Sequence, residues 1–244
     1  MKDKYTTREF LDDLNAQLQK VNITYAHLFH EEKSKQYLTL LNKLFRTALA
    51  LKEDAQNKNQ EEAANLFLGM QCHLNSLISL LEMWTFLKVS KIDEAWNKLI
   101  DAQEYAHISV LANGSTQTKE LFLHLNKIEK FTFPIPKFVS AGFTYKAGKC
   151  SICSFKFNTC HHAEGSIYTG RVCKQIDLQN VKFEHVAFVE IPRDKRCRII
   201  EIEKDGIYQN YFSGEEYKYE KSEIIDGLRC KAVAFKFWTL LYIN

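Results

Sequence analysis

The sequence predicts an α+β protein, an N-terminal antiparallel helical bundle followed by a small antiparallel β domain. Three observations carry this. Of nine glycines only Gly69 and Gly114 precede residue 131, and all three prolines, Pro134, Pro136 and Pro192, follow it. Long helices exclude both residue types and turn-rich sheets use them. Apolar residues recur every three to four positions in the first part and alternate in the second. Six of the seven cysteines lie after residue 149, which marks the second part as chemically different.

Composition sets the outer limits. The chain has 244 residues, 45% of them hydrophobic and 26% charged, so most of it is expected to fold. A net charge of +3 is too mild for a protein that coats nucleic acid. The opening MKDKYTTREFLDDLN mixes both charge signs and contains no apolar run, so no secretory signal is expected there. The most apolar stretch, Leu66 to Val89, is interrupted by Gln71, His73, Asn75, Ser76 and Glu82 and reads as a buried helix rather than a membrane span. The expectation is a cytoplasmic protein with no membrane association.

Five helices are expected across residues 1–130. The first runs through Phe10, Leu11, Leu14, Leu18 and Val21 behind Thr7, a good N-cap. The second carries Tyr37, Leu38, Leu41, Leu44, Phe45, Ala48 and Leu51. The third carries Leu66, Phe67, Met70, Leu74, Leu77, Leu81 and Trp84. The fourth, opened by Ser90, carries Ile92, Ala95, Trp96, Leu99, Ile100 and Ala106, and a shorter fifth carries Leu121, Phe122, Leu125 and Ile128. The polar runs DAQNKNQEE and ANGSTQT join the second to the third and the fourth to the fifth; short loops make neighbours antiparallel. These stripes suit a bundle core better than a partner-binding face.

Two prolines in FTFPIPKF stop any continuing helix, so residues 131–148 read as a linker and 149–244 as the β domain. Strands are expected over VKFEHVAFVEI (181–191) and CRIIEIE (197–203). A hairpin is expected around Ser213-Gly214, and a further strand in KAVAFKFWTLLYIN.

The segment CSICSFKFNTCHHAEG has the form Cys150-x2-Cys153-x6-Cys160-x-His162. A Cys-x2-Cys pair offers two thiolates to one ion through a tight turn, and six residues suffice to turn the chain back with a second pair. Zinc takes four such ligands tetrahedrally. The predicted set is Cys150, Cys153, Cys160 and His162, with His161 and Cys173 as substitutes, which makes the β domain zinc-containing. Four good donors leave no open position for a reacting water, and a sulfur-rich sphere weakens zinc as a Lewis acid, so the ion is expected to be structural. Glu164 follows His162 by two, as in zinc deaminases. The Cys-x2-Cys, however, lies upstream of that histidine and no proline precedes it.

From Cys150 to Pro192 the pattern resembles a segment of prophage-encoded prohead-protease-like and hypothetical proteins. It shares Cys-x2-Cys, Cys-x-His, Gly-x2-Tyr-x-Gly-x2-Cys and a strand ending in proline: Cys150, Cys153, Cys160, His162, Gly165, Tyr168, Gly170, Cys173 and Pro192. The resemblance covers roughly a fifth of the chain and none of the helical part. It implies a zinc-knuckle β module from a bacterial or phage setting, with Tyr168 packed over the knuckle, and no protease activity.

The run PRDKRCR gathers Arg193, Lys195, Arg196 and Arg198, which could contact nucleic-acid phosphates or simply line a hairpin edge. Catalytic signatures are missing. His30-Glu31 lacks a second histidine four residues after the first, Gly148-Lys149 lacks the upstream glycine of a P-loop, and no Gly-x-Ser-x-Gly occurs. Cys72 and His73 diverge by about 100° on a helix and form no nucleophile–base pair. The expected function is therefore a non-enzymatic, zinc-stabilised adaptor for a protein partner, in a bacterial or phage-related assembly such as a defence system. A nucleic-acid-binding or nuclease accessory factor using 193–198 is the alternative, and a zinc hydrolase the third.

Overall fold

The structure is a computed structural model, and it describes residues 31–113, 115–204, 206–218 and 229–234 together with Glu9, Asp12, Asp13 and Ala16. Glu9, Asp12, Asp13 and Ala16 are helical, within the expected first helix; its apolar residues Phe10, Leu11, Leu14, Leu18 and Val21, and residues 235–244 of the expected last strand, lie outside the described residues.

From residue 31 on, the described residues form four helices: α1 (Glu31–Asn57), α2 (Glu61–Lys88), α3 (Ile92–Asn113) and α4 (Thr116–Thr132). They match the second to fifth expected helices. α2 is the central element. It packs against both α1 and α3, and α4 packs on α3. One apolar cluster threads all four, through Leu41 and Leu44 of α1, Phe67, Leu74 and Leu81 of α2, Trp96 and Leu99 of α3 and Leu125 of α4. Each fully buried side chain of this kind is worth about 1.5–3 kcal/mol against exposure.

The joints are tighter than the polar runs suggest. DAQNKNQEE is mostly helical, and the connection is only residues 58–60. Asn59 takes φ +54°, with Gln60 N–H donating to Ala55 O and Asn59 N–H to Gln56 O. Ser90 takes φ +57°, with Lys91 N–H donating to Phe86 O and Ser90 N–H to Leu87 O. Both are Schellman ends without glycine. Ser90 thus closes α2 rather than opening α3. Ser115 does cap α4, its hydroxyl accepting from Thr118 N–H at 3.3 Å.

The remainder is a set of small antiparallel sheets. Its strands are β1 (Phe138–Lys146), β2 (Lys149–Cys150), β3 (Ile167–Tyr168), β4 (Arg171–Val172) and β5 (Gln175–Ile176). They continue with β6 (Gln179–Val189), β7 (Ile199–Lys204), β8 (Ile207–Asn210), β9 (Glu216–Lys218) and β10 (Arg229–Ala232). β10, β7, β8 and β9 form one four-stranded sheet in that order; β1–β6, β2–β5 and β3–β4 are two-stranded. Residues 138–146, read as linker from composition, are a nine-residue strand paired with β6. The chain leaves along β1, builds the cysteine-bearing loops, and returns along β6. Val139 N–H to Cys197 O and Ile199 N–H to Lys137 O join the base of β1 to the four-stranded sheet.

The apolar core crosses the helix-to-strand change. Trp96 of α3 meets Phe133 and Phe212 edge-on at 5.3 and 5.2 Å between ring centroids. The Arg198 guanidinium lies 3.9 Å over the Phe212 ring. No helix among the described residues is long and apolar enough to cross a membrane.

Candidate metal centre

The site grows from a knuckle. Cys150 N–H donates to Phe155 O at 2.8 Å and Ser154 N–H to Cys150 O at 2.9 Å, closing a turn in which Ser154 takes φ +61°. Ile152 N–H points at Cys150 Sγ at 3.4 Å. Pairing of β2 with β5 holds the turn, and Gly148 makes that pairing feasible: a Cβ there would stand 1.9 Å from Ile176 O. The chain then runs through a 3₁₀ turn, Phe157–Thr159, which delivers Cys160 and His162.

The donor atoms of Cys150, Cys153, Cys160 and His162 all lie within 4.8 Å of one another. A tetrahedral ion with bonds of about 2.0–2.3 Å needs its donors roughly 3.5–3.8 Å apart, so sub-ångström shifts close the site. Donor chemistry fits too. His162 Nδ1 is buried without a hydrogen-bond partner, an expensive state for an imidazole nitrogen unless a ligand occupies it. Cys150 is fully buried and Cys153, Cys160 and His162 are half-buried. Burial pushes the Cys150 thiol up, but N–H groups of Cys153 and Ile152 and the thiols of Cys173 and Cys153 outweigh it and bring it down to about 6. A thiol that ionises this readily is a ready ligand.

The two named substitutes fall differently. His161 is exposed and outside the set. Cys173 is buried with its sulfur 3.7 Å from Cys150 Sγ, yet it is not one of the four. Burial, with Cys150 beside it, pushes the Cys173 thiol up to about 12. Either sulfur of the Cys150–Cys173 pair can act as the donor. Tyr168 packs edge-on against the His162 ring at 4.6 Å, and its hydroxyl accepts from Ala163 N–H at 3.1 Å.

The β3–β4 hairpin that carries Tyr168 is bolted to the bundle. Gly170 N–H donates to Asn65 Oδ1 at 2.7 Å, Thr169 N–H to Glu61 Oε1 at 3.3 Å, and Gln56 Nε2 to Thr169 O at 2.8 Å. Gly170 sits at φ +69°, where a Cβ would meet Ala64 O at 2.9 Å. Ile167 and Val172 pack on Leu68 and Cys72 of α2. Sequence reasoning missed this seam, because its partners stand about a hundred residues apart.

The basic run is largely spent inside the chain. Arg196 is buried among Asp101 at 2.6 Å, Glu104 at 2.7 Å and Asp194 at 2.9 Å. Buried Arg198 pairs with Asp93. Lys195 Nζ contacts Glu129 at 2.6 Å, and exposed Arg193 reaches Glu164 at 3.2 Å. Glu164 is therefore tied to an arginine.

Comparison with family models, curated proteins and solved structures finds no match to this chain.

Proposed function

We propose that this chain is a non-enzymatic, zinc-stabilised binding protein whose site holds the ion in a closed Cys3His sphere and whose partner is a protein. The convergence of Cys150, Cys153, Cys160 and His162, all four positions filled from the chain, carries the reading. Zinc is favoured over harder ions because three sulfurs and an imidazole suit it and oxygen donors are lacking. When bound, the ion cross-links two ends of a loop that has almost no apolar core of its own, which is the usual work of a structural site. A hydrolytic role has little to build on, since Glu164 pairs with Arg193. A phosphate-binding role would have to rest chiefly on Arg193 and Lys195, because Arg196 and Arg198 are buried in ion pairs. The setting we propose, a bacterial or phage-related assembly, rests on the pattern over residues 150–192 alone.

Elemental analysis of the purified chain tests this. A single equivalent of zinc is expected, and Cys153→Ser should lose both the metal and the protease resistance of residues 148–176 while the helical circular dichroism persists. Metal-free protein with an intact, protease-resistant knuckle would overturn the reading.

A further inference from the structure

The candidate metal centre has one sulfur more beside it than a tetrahedral ion uses. Cys173 Sγ lies 3.7 Å from Cys150 Sγ, yet Cys173 stands outside the four converging donors. Both side chains are fully buried. Their backbones are tied together without help from any ion. Cys150 pairs with Gln175 of β5, two residues beyond Cys173. Ser151 N–H donates to Lys174 O and Lys174 N–H to Ser151 Oγ, both at 2.9 Å. On the far side Cys173 N–H donates to Ser166 O at 2.8 Å. A disulfide bond is about 2 Å long, so side-chain rotation on this fixed frame can join the two sulfurs. The thiolate that a metal site requires is also the form that oxidants attack.

We propose that Cys150 and Cys173 form a redox switch, in which a peroxide joins them as a disulfide and takes Cys150 out of the metal sphere. The inference rests on the Cys3His reading of the site. Cys153 is half-buried, so the oxidant meets it before the buried pair. Its thiolate attacks one peroxide oxygen, becomes a sulfenic acid and expels hydroxide. The Cys150 thiolate, whose sulfur lies within 4.8 Å, then bonds to Cys153 and expels a second hydroxide. One hydroxide takes the Cys173 proton. The Cys173 sulfur bonds to Cys150 and returns Cys153 as a thiolate. Two electrons pass from the Cys150–Cys173 pair to the peroxide, which leaves as one water and one hydroxide, and the ion keeps its charge. Three donors remain to the ion, Cys153, Cys160 and His162, and it is released. The new bond still ties β2 to the chain entering β5. The β3–β4 hairpin therefore stays docked on α2 while the knuckle between the two cysteines opens.

Hydrogen peroxide added to the zinc-loaded full chain tests the proposal. Released zinc is read with a chromogenic chelator, and disulfides are mapped by non-reducing peptide mass spectrometry. A Cys150–Cys173 crosslink is expected to form in step with zinc release, both being reversed by a dithiol reductant and fresh zinc. Cys173→Ser should load zinc as the wild type does and release it several-fold more slowly under peroxide. Release at the wild-type rate from Cys173→Ser overturns the proposal. So does a wild-type map that shows Cys150–Cys153, or any crosslink other than Cys150–Cys173; this map decides alone if the variant does not fold. Both results leave the closed metal site standing. A wild-type chain that takes up no zinc before oxidation overturns that reading instead, and the switch with it.

Discussion

Arg196 shows how a surface-looking residue becomes structural. Its guanidinium sits among three carboxylates from α3 and from its own loop, out of reach of solvent. Removing one partner of a buried ion group strands the others, at a typical cost of about 3–5 kcal/mol. Arg196→Met is expected to lower unfolding free energy by that amount in urea titration. Arg196→Lys should recover only part, because an ammonium cannot reproduce the fork. Nothing in PRDKRCR announces this role, since the acids that meet it are on a helix some ninety residues earlier. His73 is the second case. Its Nδ1 faces Thr118 Oγ1 at 3.3 Å, and burial lowers its value from 6.5 to about 4. The folded value is below the unfolded one, so the unfolded chain binds the proton more tightly. The contribution is complete above pH 6.5 and fades as pH falls toward 4. Wild type should lose about 2 kcal/mol through this group between pH 7 and pH 5. His73→Gln should show correspondingly less loss in paired urea titrations.

The elements were legible where periodicity was strong and blurred where conformation depended on one backbone angle. The apolar stripes of α1 to α4 stand out in the sequence because each lines a helix face against the shared core. The joints did not, because Asn59 and Ser90 hold left-handed angles that glycine usually marks. The converging Cys150, Cys153, Cys160 and His162 were legible because a knuckle is local and these donors span only thirteen positions. β1 was hidden by Pro134 and Pro136 just before it and by its distant partner β6. Ser90 permits a direct test. A non-glycine residue in the left-handed region costs about 1 kcal/mol, and Ser90 is exposed with no side-chain role that this angle serves. Ser90→Gly should raise the urea midpoint by the equivalent of roughly 0.5–1 kcal/mol with unchanged slope. The same change at Asn59 should gain less, because asparagine tolerates the angle better.

At the scale of the molecule, the metal site and the bundle are joined in series. The candidate ligand His162 leans on Tyr168, Tyr168 belongs to the β3–β4 hairpin, and that hairpin's tip is held by Gln56, Glu61 and Asn65. Farther along, Arg196, Arg198 and the Trp96–Phe133–Phe212 cluster fix the four-stranded sheet to α3 independently of the knuckle. Two seams of different origin imply that metal loss spreads through one and stops at the other. Under the zinc reading, a chelator should raise amide hydrogen exchange over residues 148–176 and then over the α1–α2 joint around residues 56–65, where the hairpin docks. Amides beside Leu74, Leu81 and Leu99 should keep their protection, because their burial does not involve the hairpin. Exchange confined to the knuckle would show the hairpin seam to be self-sufficient. Exchange reaching the Trp96 cluster would show instead that the two parts fold as one cooperative unit, with the ion supporting both.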